Sequence, residues 1–385
     1  MSIWVRRAAG AAMAVAATWA GFTGASLAQG TLKIGAVLSV TGPASFLGEP
    51  AEKTLKMYIE DINTKGGVLG RKFELVVYDD GGDPSKARTF ATRLVEEDKV
   101  FAMVGGSTTG TTMAMVPVFE EAQIPFISLG GGAVIVDPVK KYTFKTPHSD
   151  LLACEKIFEN IKAKGLTKIG LISGTDGFGK SMQASCNKVA GKYGLTIVAD
   201  ETYNPPDNDM TPQLTNIKNK GAQAIVGCSF GAPAAVVTRG VKQLGLTMPY
   251  YQDHGVASKT FIELSGDAAE GMFLPAAAVL VADKLPDSDP QKVVAMAYVK
   301  KYEETAKQPV STFGSHAFDG LLLIVDAMKR ADSADPKKIR DELEKTKGFV
   351  GAGGIFNMSA ADHQGLDLAS FKMLTIRNKD WALAN

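Results

Sequence analysis

The sequence predicts an α/β chain built as two doubly wound parallel-sheet lobes. Three observations carry that expectation: its length, a strand–helix alternation with short Gly-rich connections, and a restart of that alternation after His148. At 385 residues the chain exceeds the usual single-domain size, so two lobes of roughly 150 to 200 residues are the natural division.

In the first lobe the apolar run 32–38 reads as a strand, followed by a Thr-Gly-Pro turn and a helix over 49–65 that ends at Gly66-Gly67. A strand over 73–78, an Asp-Pro break and a helix over 86–97 come next. Strand 100–104, helix 111–121 and strand 125–128 complete the run. The second series comprises helix 151–164, strand 168–173, helix 180–193, strand 196–200, helix 212–220, strand 222–227 and helix 233–244. Beyond 271–281 the pattern predicts helices over 291–307, 318–331 and 337–345. A Gly-rich stretch, Gly351 to Phe356, precedes a last strand over 371–377.

The amino terminus reads as an export leader. Arg6 and Arg7 precede an Ala-rich apolar run to about Ala25, and Ser26-Leu27-Ala28 offers small residues for cleavage. A leader over 1–28 implies a mature chain in a bacterial periplasm. No Cys follows the run to carry a lipid, so no membrane anchor is expected. Export also permits a disulfide. Cys154 and Cys186 fall on neighbouring helices, and either a bridge between them or free buried thiols fits the residues.

Composition narrows the function. Lys plus Arg is 42 against 41 Asp plus Glu, so no global field exists to hold nucleic acid. His148, His254, His316 and His363 show no metal-ligand spacing, and neither a metal nor a cofactor is expected. Function belongs in the post-strand loops of such sheets, where the next helix turns its N–H groups outward.

Three loops stand out. Gly105 to Thr112 follows a strand and opens a helix; Thr111 stands where a phosphate-binding loop needs Lys, which argues against a nucleotide. Ser128 to Ala133, with Gly130, Gly131 and Gly132, can lay backbone amides against a ligand or form a plain turn. Gly227-Cys228-Ser229-Phe230-Gly231 matches the nucleophile elbow of a serine hydrolase. Asp319 and His363 follow Ser229 in the chain order of such a triad, yet neither falls at a strand end. Phe178 and Phe230 suit an aromatic lid; a core role is the plainer alternative. His254 reads as a cleft or a surface residue.

Ile34-Gly35-Ala36 with Thr41-Gly42-Pro43, Asp61-Ile62-Asn63 before Gly66-Gly67 and Gly70, and Tyr78-Asp79-Asp80 with Asp83-Pro84 carry a resemblance, joined by Gly179 and by Gly266 to Gly271. In order and spacing they resemble the periplasmic solute-binding proteins of branched-chain amino acid ABC importers, the leucine/isoleucine/valine-binding type. That resemblance implies the type I periplasmic-binding fold, a non-enzymatic role and three crossover segments near 146–148, 274–277 and 356–359. It implies a lobe of 30–147 plus 277–357 and another of 148–276 plus 358–385, acting as a monomer that presents its ligand to an inner-membrane ABC permease.

The site implied by the resemblance is Thr109 with Thr108 and the Gly130 and Gly131 backbone holding a carboxylate. Phe46 and Leu47 stand in the first lobe's aromatic region, and Phe178 and Phe230 close over the ligand. The ammonium half departs from the family: Gly132 replaces a Thr and His254 a carboxylate. An unpaired buried charge costs several kcal/mol, on the order of a thousandfold in affinity. The expected ligand is therefore a small carboxylic acid without an α-amine, probed first as an aromatic acid. An amino acid paired through Asp176 or Asp253, and a hydrolase built on Ser229, are the alternatives.

Overall fold

A computed structural model describes residues 30–384. The leader reading over 1–28 lies outside the described residues. The chain runs β1 (Leu32–Leu38), α1 (Ser45–Thr64), β2 (Phe73–Asp79), α2 (Pro84–Glu96), β3 (Ala102–Gly105), α3 (Thr109–Ala122), β4 (Phe126–Ser128) and β5 (Thr143–Lys145). It continues through α4 (Asp150–Ala163), β6 (Lys168–Gly174), α5 (Gly177–Val189), β7 (Thr196–Tyr203), α6 (Thr211–Asn219), β8 (Ala224–Cys228) and α7 (Gly231–Gln243). Then come β9 (Tyr250–Gln252), α8 (Lys259–Ser265), β10 (Phe273–Ala277), α9 (Gln291–Ala306), α10 (Thr312–Ala331) and α11 (Pro336–Glu344). Strands β11 (Phe349–Val350), β12 (Ile355–Phe356), β13 (Phe371–Arg377) and β14 (Asp380–Leu383) end it.

Two mainly parallel sheets organise these elements. The first has the order β2-β1-β3-β4-β5, all parallel. The second has the order β14-β13-β10-β9-β8-β6-β7, with β13 antiparallel to both β10 and β14 and the remaining pairs parallel. Central strands such as β1 are buried along nearly their whole length, because helices cover both faces. Their apolar side chains enter two separate sets of cores, one on each sheet.

The chain passes from the first sheet to the second after β5, leaves the second after β10, and returns to it between β12 and β13. The first and third passages are tied to each other, and the first also to α10. Thr146 Oγ1 donates to the His316 carbonyl at 2.8 Å, Gln364 Nε2 to the Pro147 carbonyl at 2.6 Å, and the Lys145 N–H to the His363 carbonyl at 3.1 Å.

Several boundaries differ from the sequence reading. Helix α1 begins at Ser45, four residues before the expected start at Glu49, and carries Pro50 inside its second turn. Helix α10 begins at Thr312, six residues before the expected Phe318, with Gly314 within it. A Cβ on Gly314 would stand 2.4 Å from the Tyr298 hydroxyl, so close helix packing explains a glycine that looked like loop. Strands β5, β9 and β14 and helix α8 were not anticipated, being three to seven residues long. Cys154 and Cys186 form a disulfide with Cα atoms 5.1 Å apart, joining α4 to α5, and Cys228 is a buried free thiol.

Candidate ligand-binding site

A cleft between the two sheets is lined by Leu47, Ser107, Thr108, Thr109, Leu129, Gly131 and Pro147 from one side. Phe178, Phe230, His254 and Gly255 line it from the other, with Phe313 and His316 from the start of α10. The space open to the centre of a water molecule is about 40 Å³, room for roughly three waters. A larger solute therefore needs the lobes to part.

The first-sheet wall is polar because two strand-end loops meet there. Thr108 caps α3: its hydroxyl accepts from the Thr111 N–H at 3.1 Å, and the Thr111 hydroxyl accepts from the Thr108 N–H at 3.2 Å. Thr109 and Gly110 thus begin the helix with N–H groups that the helix itself leaves over. The Ser107 hydroxyl accepts from the Ser39 N–H at 3.0 Å.

The glycine loop separates into three roles. The Gly130 N–H donates to Ser128 Oγ at 3.0 Å, and the Gly132 N–H to Thr109 Oγ1 at 3.1 Å. Ala133 donates to Asp150 Oδ2 at 3.1 Å. Gly131 lines the cleft, and its N–H finds no acceptor among the described residues. Gly130 and Gly132 were expected at the ligand, but their amides are spent inside the wall and neither lines the cleft. A Cβ on Gly132 would lie 2.5 Å from the Thr109 methyl group, so Thr109 itself requires the glycine.

The opposite wall is apolar. Phe178 and Phe230 meet edge to face at 5.8 Å, and Phe178 meets the His254 ring at 5.4 Å. Phe46 does not line the cleft; it packs edge-on against Phe313 at 5.5 Å and lies 6.3 Å from Phe230, closing the mouth behind the lining residues. Helix α7 begins at Phe230 without a side-chain cap.

His254 is buried and neither ring nitrogen has a partner among the described residues. Burial pushes its pKa well down, and the Lys145 charge pushes it further, so the ring is neutral at pH 7. His316 behaves the same way for the same first cause. His148, stacked on Phe371 at 4.0 Å behind the cleft, is pushed down to about 3 by burial.

Among the described residues no carboxylate lines the cleft. Asp176 caps α5, accepting from the Phe178 and Gly179 N–H groups at 2.8 and 3.1 Å. Asp253 accepts from Gly255 and Ser229, both at 2.6 Å, and burial raises its pKa. Both carboxylates accept backbone N–H groups, and neither lines the cleft.

The hydrolase constellation is not assembled. Asp319 holds the Ala352 and Gly353 N–H groups at 2.7 and 2.8 Å, while His363 stacks on Phe144 and bonds the Thr143 carbonyl and Glu344. The Ser229 hydroxyl has neither as a partner. Among the described residues no cluster of His, Cys, Asp or Glu could hold a metal.

Ser107, Leu129, Pro147, Gly255, Phe313 and His316 complete the lining without having been singled out from sequence. Ser107, Leu129 and Gly255 adjoin residues that were. Phe313 and His316 carried no local signal, because they sit where α10 begins earlier than its pattern indicates.

Two sheets, three chain passages and a cleft faced by strand-end loops from both define a two-lobed binding fold. A profile described as periplasmic binding protein matches residues 31–372. The chain belongs to the type I periplasmic binding proteins, within the Leu/Ile/Val-binding family of ABC-transporter solute-binding proteins. It is 27% identical over 367 residues to the leucine-, isoleucine-, valine-, threonine- and alanine-binding protein of Pseudomonas aeruginosa, covering 94% of each chain. An extracellular ligand-binding receptor from Rhodopseudomonas palustris HaA2 superposes with a TM-score of 0.85 at 28% identity, covering 92% of this chain and 99% of that one. The branched-chain amino acid transporter substrate-binding protein of Streptococcus pneumoniae, solved with isoleucine, gives 0.81 at 25% identity over 92% and 99%. Among the described residues no helix is long and apolar enough to cross a membrane.

Proposed function

We propose that the chain is the periplasmic substrate-binding component of an ABC importer and captures a small monocarboxylate that lacks an α-ammonium, such as an aromatic acid. In this reading two bodies, 30–147 with 277–357 and 148–276 with 358–385, close on the ligand as a monomer and present it to an inner-membrane permease. Thr109 and the Gly131 N–H receive the carboxylate; Leu47, Phe178, Phe230 and Phe313 enclose the apolar body; His254 meets a distal polar group. Thr108, Gly130, Gly132 and Phe46 support these residues from behind. One observation carries the choice of ligand: among the described residues the lining offers donors for an anion and no carboxylate for a cation.

A branched-chain amino acid is the second reading, and the comparisons favour it. The Pseudomonas relative is named for leucine, isoleucine, valine, threonine and alanine, and the Streptococcus structure holds isoleucine. Calorimetry on the purified chain separates the two, using leucine and isoleucine against 4-methylpentanoate, benzoate and 4-hydroxybenzoate. The first reading expects the acids to bind at least about a hundredfold tighter than the amino acids, the cost of an unpaired ammonium. Leucine binding more tightly than 4-methylpentanoate overturns it in favour of the second.

A further inference from the structure

A buried cation stands directly behind the polar wall. Lys145, the last residue of β5, is completely buried. Its ammonium donates to the Gly131 carbonyl, with the carbonyls of Gly132 and His148 at 3.4 and 3.5 Å. A trans peptide points its C=O and N–H in opposite directions. The unit that turns the Gly131 carbonyl toward Lys145 therefore turns the Gly132 N–H away from it, and that N–H donates to Thr109 Oγ1 at 3.1 Å. With that bond accepted, Thr109 keeps its own hydroxyl proton to donate into the cleft it lines.

We infer that Lys145 is a positioning residue that makes the cleft selective for an anion, acting through the 131–132 peptide and the Thr109 hydroxyl. Each bond in such a chain polarises the next, and away from water the effect of the charge is little screened. Asp150 is the carboxylate facing this ammonium. It reaches the same loop at Ala133 and forms no ion pair with Lys145, so it offsets the positive charge only in part. Burial opposes the charged form of both, lowering the Lys145 pKa and raising that of Asp150, while each charge favours the other. His148, His254 and His316, the other titratable neighbours, are held neutral by burial.

The inference rests on the carboxylate-capturing reading and deepens it. It is tested by calorimetry with matched probes, benzoate against benzamide and 4-methylpentanoate against 4-methylpentanamide, with leucine included. Lys145→Met is expected to weaken the carboxylates about tenfold or more, the loss of a charge-assisted contact, while changing the amides little. Asp150→Asn keeps the shape and the acceptor for Ala133 but removes the opposing charge; measured at about pH 5.5 to 6, so that Lys145 stays protonated without the charge that raises its pKa, it is expected to tighten the carboxylates several-fold. A purely structural role predicts the reverse, and this second variant decides the matter if Lys145→Met does not fold. An unchanged carboxylate-to-amide ratio in Lys145→Met, or weaker carboxylate binding in Asp150→Asn, overturns the inference alone. A wild-type chain that binds no carboxylate at all overturns the functional reading together with it.

Discussion

The two walls of the cleft are built from the same strand–loop–helix unit and present opposite chemistry. On the first sheet, α3 is capped by Thr108, and the neighbouring glycine loop is locked by Ser128, Thr109 and Asp150. The result is a rigid set of donors around Thr109 and Gly131. On the second sheet, α7 begins at Phe230 with no side-chain cap, and rings fill the space where hydroxyls stand opposite. The second wall is stapled instead from behind, by the disulfide between α4 and α5. One wall orients a charged end by hydrogen bonds; the other selects the body by shape and apolar area. The same backbone unit supports either role because its free N–H groups and its side chains are chosen independently.

Four changes sharpen or break that contrast. Replacing Cys154 and Cys186 together by Ser removes a bridge across 32 residues and is expected to cost about 2 to 4 kcal/mol of stability. The loss belongs to the second-sheet half, so hydrogen exchange should rise in α4 and α5 first; equal rises in both halves contradict the contrast. Thr109→Val removes the central donor of the polar wall and strands the Gly132 N–H. A loss of about 1.5 to 3 kcal/mol in carboxylate affinity is expected by calorimetry, with amide probes less affected.

Gly131→Ala tests whether the walls must touch. Its Cβ would meet Phe178 Cε2 at 2.7 Å and His254 Nε2 at 2.9 Å, both from the opposite wall. Closure should be impaired by about 1 to 3 kcal/mol while the unliganded fold persists, seen as a larger radius of gyration by scattering at saturating ligand. A liganded radius equal to wild type argues against contact-limited closure.

The fourth change concerns pH. His148 has its folded-state pKa depressed to about 3, so its stability contribution is present above the ordinary histidine value and is lost as pH falls toward 3. His148→Gln should therefore gain on wild type in melting temperature between about pH 6.5 and 4. A constant gap across that range would mean His148 does not titrate there.

Much of this architecture is readable without coordinates. Runs such as 32–38 and 371–377 are apolar because their strands are covered, and they match β1 and β13 residue for residue. Thr108, Thr109 and Gly131 were candidates because the strand–helix alternation places their loops directly after buried strands. Strands of three residues, such as β5 and β9, are too short for any periodicity to register. Lys145 looked like an ordinary strand-end lysine; nothing in its neighbours announces that its ammonium is enclosed.

By itself the sequence determined the order of the longer elements, the family, and which loops follow the strands of each sheet. These follow from local alternation of apolar and turn-forming residues, which needs no partner to be read. Only the tertiary structure decided which of three glycines keeps a free amide, that Asp176 and Asp253 face backbone, and that α10 delivers Phe313 and His316 to the cleft. Those outcomes depend on which groups far apart in the chain meet, since a hydrogen bond or a steric contact is a property of two positions and is recorded at neither.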